Sequence, residues 1–177
     1  MSNLWHDIPA GPHPPEQVTA VVEIPAGSRN KYELDKVTGL LKLDRVLYSA
    51  VTYPGDYGFI PGTLAEDGDP LDVLVMINES TFPGCLITVR PIGVLYMKDR
   101  GEPDEKILAV PSEDPYHQEY FDIADLPQHY LKEVEHFFSI YKDLEGKRVE
   151  IGGWGKSVQA LSTISECITR YEAKYPR

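Results

Sequence analysis

The stretch Asp67-Gly-Asp-Pro-Leu-Asp72-Val-Leu-Val-Met-Ile77 sets the reading of the whole chain. Its first half is a tight turn, built on Gly68 and Pro70. Its second half is a strand in which Asp72 points away from the face that carries Leu71, Val73 and Val75. Carboxylates held this close repel one another unless a proton or a metal lies between them. An EF-hand loop does not explain the run. It would require an oxygen ligand at its fifth position, Gly at the sixth and Glu at the twelfth. Counted from Asp67, those places hold Leu71, Asp72 and Asn78. Carboxylates projecting from a turn, with water completing the shell, suit magnesium or manganese. A solvated acidic turn is the plainer alternative for the run taken alone.

Outward from this stretch the chain is rich in strand signals. Thr19 to Ile24, Lys31 to Leu34, Leu40 to Tyr48, Leu86 to Met97 and Lys106 to Val110 each read as a strand bounded by Gly, Pro, Asp or Asn. Their spacing predicts a small antiparallel barrel or sheet rather than alternating βαβ units. Two helices follow. One runs from about Pro127 to Leu144 with Tyr130, Leu131, Val134, Phe137, Phe138 and Tyr141 on one face and Gly146 as its stop. The other runs from about Ser157 to Tyr171, with Val158, Leu161, Ile164 and Ile168 inward. The expected class is therefore mainly β with flanking α, in one domain over residues 1–177. Pro9, Pro12, Pro14 and Pro15 make residues 1–17 an extended arm rather than a regular element.

Composition narrows the function. The formal charge is −11, which argues against nucleic acid, whose affinity comes from Lys and Arg neutralising phosphates. It argues against other polyanions too, unless bound cations reverse the local sign. No apolar run is long enough for a membrane helix, and residues 1–17 lack the pattern of a secretory signal, so a cytoplasmic location is expected. Cys85 and Cys167 are far apart and match no zinc spacing; both are expected to be reduced and buried.

Further groups gain meaning only jointly. Lys31 and Glu33 share a strand face. Arg45 shares its face with Leu41, Leu43 and Leu47, so either a bulge turns it outward or it stands at a barrel mouth facing an anion. Tyr53-Pro-Gly-Asp-Tyr-Gly58 reads as a loop with two phenols. Asp99, Glu102, Asp104 and Glu105 cluster between two strands just before Lys106, and Tyr141-Lys142 closes the first helix.

In order along the chain, Glu23-Ile-Pro, Lys31-Tyr-Glu33, Asp44-Arg45, Tyr53-Pro-x-x-Tyr-Gly58, Asp67-x-Asp-Pro-x-Asp72, Asp99 with Asp104 and Lys106, and Tyr141-Lys142 resemble the soluble inorganic pyrophosphatases of the single-domain bacterial and plant kind. The match covers nearly the whole chain. The resemblance implies a closed five-stranded barrel of the OB type with two main helices. It implies hydrolysis of pyrophosphate to two orthophosphates by in-line attack of a metal-activated water, without a phosphoenzyme, in a homohexamer. Several magnesium ions per subunit are implied, with manganese or another divalent ion as a substitute. Carried over position by position, Asp67, Asp72, Asp104 and Asp99 are metal ligands, and Glu23 orders metal-bound water. Asp69 is the general base. Lys31, Arg45, Tyr57, Lys106, Tyr141 and Lys142 bind phosphate, while Glu33 and Tyr53 line the site. Three readings compete: an OB-type binding module for oligonucleotides, a phosphohydrolase acting on nucleotides or polyphosphate, and a structural metal-binding protein. Cations that alternate with carboxylates, where exposed aromatics would be needed, weigh against the first.

Overall fold

A computed structural model describes residues 3–176. Five strands close a ring: β1 (Val18–Ile24), β4 (Asp56–Ile60), β5 (Leu71–Val75), β8 (Lys106–Pro111) and β6 (Leu86–Asp99). β1 pairs antiparallel with β4, and β4 with β5. β5 runs parallel to β8, β8 antiparallel to β6, and β6 returns to β1. This is the expected OB-type barrel. β6 is long enough to serve four neighbours, β8 among them. Leu86–Val89 meets β1, while Gly93–Asp99 carries β9 (Val149–Lys156) and the two-residue β7 (Glu102–Pro103) caps its end. A separate hairpin of β2 (Asn30–Leu34) and β3 (Leu41–Val46) stands beside the ring.

The strands of the ring are apolar on both faces, and each face finds a cover. One cluster draws Val18 and Ala20 from β1, Ile60 from β4, Leu71, Val73 and Val75 from β5, Val89 and Val94 from β6, and Ile107 and Ala109 from β8. Ala160, Ile164 and Cys167 of α2 (Ser157–Lys174) complete it. The other cluster sets Leu74, Leu95 and Leu108 against Leu131, Val134, Phe137 and Phe138 of α1 (Gln128–Ile140). The sixteen buried side chains of one cluster and the thirteen of the other supply the main driving force, at about 1.5–3 kcal/mol for each large one. Among the described residues no helix is long and apolar enough to cross a membrane.

Two strands differ from the sequence expectation. β4 was expected as part of a loop, because Gly55, Asp56 and Gly58 break any alternation. All five of its residues are buried, so no polar face remains to give a period. Gly58 is required there by space: a Cβ would stand 1.8 Å from the Val21 carbonyl oxygen. β9 was not expected, since three glycines hide its strand character. The first helix ends at Ile140 rather than Leu144, and a 3-10 turn, Asp143–Glu145, follows before Gly146 in the left-handed region. α2 runs three residues past the expected Tyr171.

The Pro-rich arm is not a free extension. Trp5 is buried, and its indole N–H donates to the Thr63 carbonyl at 2.8 Å. His6 Nδ1 lies 2.7 Å from the Tyr171 hydroxyl, and the Trp5, Tyr171 and Tyr175 rings pack together. Aromatic area, invisible to a count of prolines, anchors the segment. Cys167 is buried as expected and both thiols are free, whereas Cys85 is only half-buried.

Candidate active site

Two bulges aim side chains at one cleft. In β1, Val22 faces Gly58 and Ile24 faces Tyr57, so Glu23 is the extra residue. It turns toward the hairpin, where the Leu34 N–H donates to its carboxylate at 2.7 Å. In β3, Lys31 faces Arg45 and Tyr32 faces Leu43, which makes Asp44 the extra residue. The bulge brings Asp44 and Arg45 both to the cleft and leaves Leu43 outward, 53% exposed. The face that reads as apolar and inward around Arg45 is therefore not a core face.

The cleft holds about 670 Å³ and is lined from β1, the hairpin, β4, the β4–β5 turn, β5, the β6–β8 loop, the start of β8 and the end of α1. It gathers Glu23, Lys31, Glu33, Arg45, Tyr57, Asp67, Asp69, Asp72, Asp99, Asp104, Lys106, Tyr141 and Lys142. Tyr53 is the exception. It is 2% exposed and packs behind the wall, 5.3 Å from the Tyr57 ring and 4.7 Å from that of Phe137. It stands behind Tyr57, with the charges of Lys106, Asp72 and Arg45 close enough to act on its phenol. Four cations absent from the expected set also reach the cleft: Lys36, Lys42, Arg100 and Lys147. Lys36 pairs with Asp69, from 33 residues away, and no local pattern announces such a meeting.

Ten carboxylates and eight Lys or Arg side chains line this one cleft, so its ligand must engage both signs. Lys106, at the first position of β8, is 4% exposed and donates to Asp72 at 2.5 Å and Asp104 at 2.6 Å. Burial opposes its charge, but Asp72, Tyr57 and Asp104 outweigh burial and hold the ammonium well above the usual lysine range. Lys142 donates to Asp99 at 2.5 Å. Burial alone would raise Asp99; this pairing outweighs it and holds the carboxyl below the usual range. Lys31 reaches both Glu33 at 3.4 Å and Asp44 at 3.6 Å. In the turn, the Asp69 N–H donates to Asp67 Oδ1 at 3.0 Å.

Comparison with known proteins follows from this geometry. A family model described as inorganic pyrophosphatase matches residues 20–172. An inorganic pyrophosphatase of Geobacillus stearothermophilus is 58% identical over 154 residues, 87% of this chain and 93% of that protein. One from Haloferax volcanii is 48% identical over 99% of both chains. The crystal structure of inorganic pyrophosphatase from Thermus thermophilus superposes with a TM-score of 0.93 at 46% identity, over 97% of this chain and 99% of that one. The chain belongs to the inorganic pyrophosphatase family.

As a pyrophosphatase cleft, the site must accommodate divalent cations, and its own chemistry tests the fit. The acidic wall offers only oxygen donors, the preference of hard ions. Burial pushes Glu23 up to about 8, with the Asp72 charge adding to it. Burial also raises Asp67, and the Asp69 and Asp104 charges reinforce the shift. Such crowding favours a bound cation or proton. Asp99 Oδ1 is buried with no hydrogen-bond partner, a carboxylate oxygen available to an ion. Among the described residues no three acidic, His or Cys side chains converge tightly enough to enclose an ion as they stand, because Lys106 bridges Asp72 and Asp104. The donor set nonetheless fits a hard divalent cation.

Proposed function

We propose that this chain hydrolyses inorganic pyrophosphate to two orthophosphates by in-line attack of water, with no phosphoenzyme, and that magnesium is its working ion. One observation carries the reading. A single cleft places Lys31, Arg45, Lys106 and Lys142 among Asp67, Asp69, Asp72, Asp99 and Asp104. A polyanion held by divalent cations needs both sets, and an oligonucleotide needs only the first.

Asp67, Asp72, Asp104 and Asp99 would hold the ions, with Glu23 ordering a coordinated water. Bound magnesium supplies acidification of water and shielding of phosphoryl oxygens. The remaining work belongs to the chain. Arg45 offers a planar fork to phosphate, and Lys31, Lys106 and Lys142 act as point charges. Tyr57 and Tyr141 donate hydroxyls without adding charge, and Glu33 lines the site beside Lys31. Asp69 takes the proton of the attacking water. Lys36 pairs with it at the cleft rim. The family resemblance supports a homohexamer in the cytoplasm, and a solution mass measurement tests the assembly.

The experiment is magnesium-dependent phosphate release by the purified protein. Release from pyrophosphate at neutral to alkaline pH is expected; none in that range would overturn the reading. Asp69→Asn is expected to lower kcat by about 10²–10⁴-fold, the usual contribution of a positioned base. Full turnover in that variant would remove Asp69 from its role and leave the activity standing.

A further inference from the structure

One buried carboxylate beside the cleft has no part in the chemistry above. Glu145 ends the turn Asp143–Glu145, three residues after Lys142, and its side chain is 5% exposed. Its Oε1 lies 2.9 Å from Arg45 Nε and accepts from Lys147 Nζ at 3.3 Å, while Oε2 is buried without a hydrogen-bond partner. Arg45 and Lys147 both line the cleft and Glu145 does not. The carboxylate therefore stands behind two cations, away from the acidic wall.

The elements it joins explain why such a contact is needed. Arg45 belongs to the β2–β3 hairpin, whose strands pair with each other and not with the ring. Glu145 belongs to the turn that also carries Tyr141 and Lys142 at the end of α1. An unrestrained arginine loses much rotamer entropy when it meets a phosphate. Glu145 meets the Nε edge of the guanidinium as an ion pair whose N–H is not aimed at the oxygen, and Asp44 meets Nη1; carboxylates on two edges restrict the head group beforehand, and Nη2 remains to meet an anion. Burying a lone carboxylate is costly, and the two cations offset that cost.

We propose that Glu145 is a positioning residue: it locks Arg45, and with it Lys147, at the phosphate-binding side of the cleft and ties the hairpin to the end of α1. The inference rests on the cleft being a pyrophosphate site. A carboxylate that only closed a helix end would affect stability and leave substrate affinity alone.

The test compares wild type, E145Q, R45A and the double variant in steady-state hydrolysis of magnesium pyrophosphate. E145Q is expected to raise KM about tenfold, a typical loss for one misplaced binding group, with a much smaller change in kcat. In the R45A background the same substitution is expected to add nothing. A wild-type KM in E145Q, with only a lower melting temperature, overturns the proposal; so does an E145Q effect that persists in full in the R45A background. Should E145Q fail to fold, E145D is expected to raise KM in the same direction, and a wild-type KM there counts equally against the proposal. Relaxation of the Arg45 Nε–H group in the wild type decides independently of turnover. An order parameter near that of rigid backbone, about 0.85, is expected, and one below about 0.6 contradicts the lock. If the wild type releases no phosphate, the functional reading fails, and the relaxation result still judges Glu145.

Discussion

At the scale of single residues, Lys106 shows how the cleft holds its charges. A lysine 4% exposed is stable there because Asp72 and Asp104 each accept a hydrogen bond from its ammonium, and the two carboxylates are tolerable because Lys106 stands between them. Replacing one member of such a set strands the others. Lys106→Ala is expected to lower unfolding free energy in EDTA by about 3 kcal/mol, read by denaturant titration. Millimolar magnesium is expected to narrow the gap, since a divalent cation replaces the lost charge. An equal deficit with and without magnesium would argue against ion binding at these carboxylates. Most side chains of the cleft were legible in the sequence through residue type and order, from Glu23 to Lys142. Their pairings were not: Lys106 meets Asp72 across 34 positions and Lys142 meets Asp99 across 43. The depth of Tyr53 was hidden for a related reason. A phenol near a loop suggests a site wall, and only the packed structure shows it buried behind Tyr57.

At the scale of elements, the sequence revealed those with a period and hid those without one. α1 has one polar and one apolar side, and β5 is an apolar run bounded by a turn; both were read. β4 is buried throughout and β9 is broken by glycines, so neither left a pattern. The two bulges that aim Glu23 and Arg45 are register effects, and register is set by partner strands. Junctions between elements are likewise tertiary. Asp122 accepts from the Ala124 N–H at 3.1 Å and from both the N–H and the hydroxyl of Ser157 at 3.0 Å, and so caps α2 from a distant turn. Burial would raise its carboxyl, but these hydrogen bonds outweigh burial and hold it below the usual range. The folded state then binds this proton more weakly than the unfolded chain. Its contribution to stability is present at neutral pH and fades as pH falls from about 4, the unfolded value, through the depressed folded one. Asp122→Ala is expected to cost about 1–2 kcal/mol at pH 7 by denaturant unfolding, with a smaller cost in acid. A pH-independent difference would contradict the cap.

At the scale of the whole molecule, the chain separates stability from chemistry. The barrel and its two helices carry the core, and the cleft is assembled at their margin from strands, turns and a helix end far apart in sequence. The aromatic anchor of the N-terminal arm borders the cleft without lining it: Trp5 packs on Tyr171 and Tyr175, and the cleft residue Lys36 places its ammonium 5.6 Å from the Trp5 ring. Trp5→Ala is expected to cost about 3–5 kcal/mol, as for other buried aromatic truncations, while the folded fraction keeps its specific activity. A loss of activity beyond the unfolded fraction would show that the arm supports the site. The charge of −11 is a property of the whole surface; within the cleft the two signs nearly balance, and an anion can be held once cations are added. The central claim is that this cleft splits pyrophosphate with the help of magnesium, and phosphorus NMR of purified protein with pyrophosphate and magnesium tests it most directly. The account predicts that the pyrophosphate resonance gives way to orthophosphate alone and that EDTA stops the conversion. A pyrophosphate signal that persists unchanged with magnesium present would contradict it.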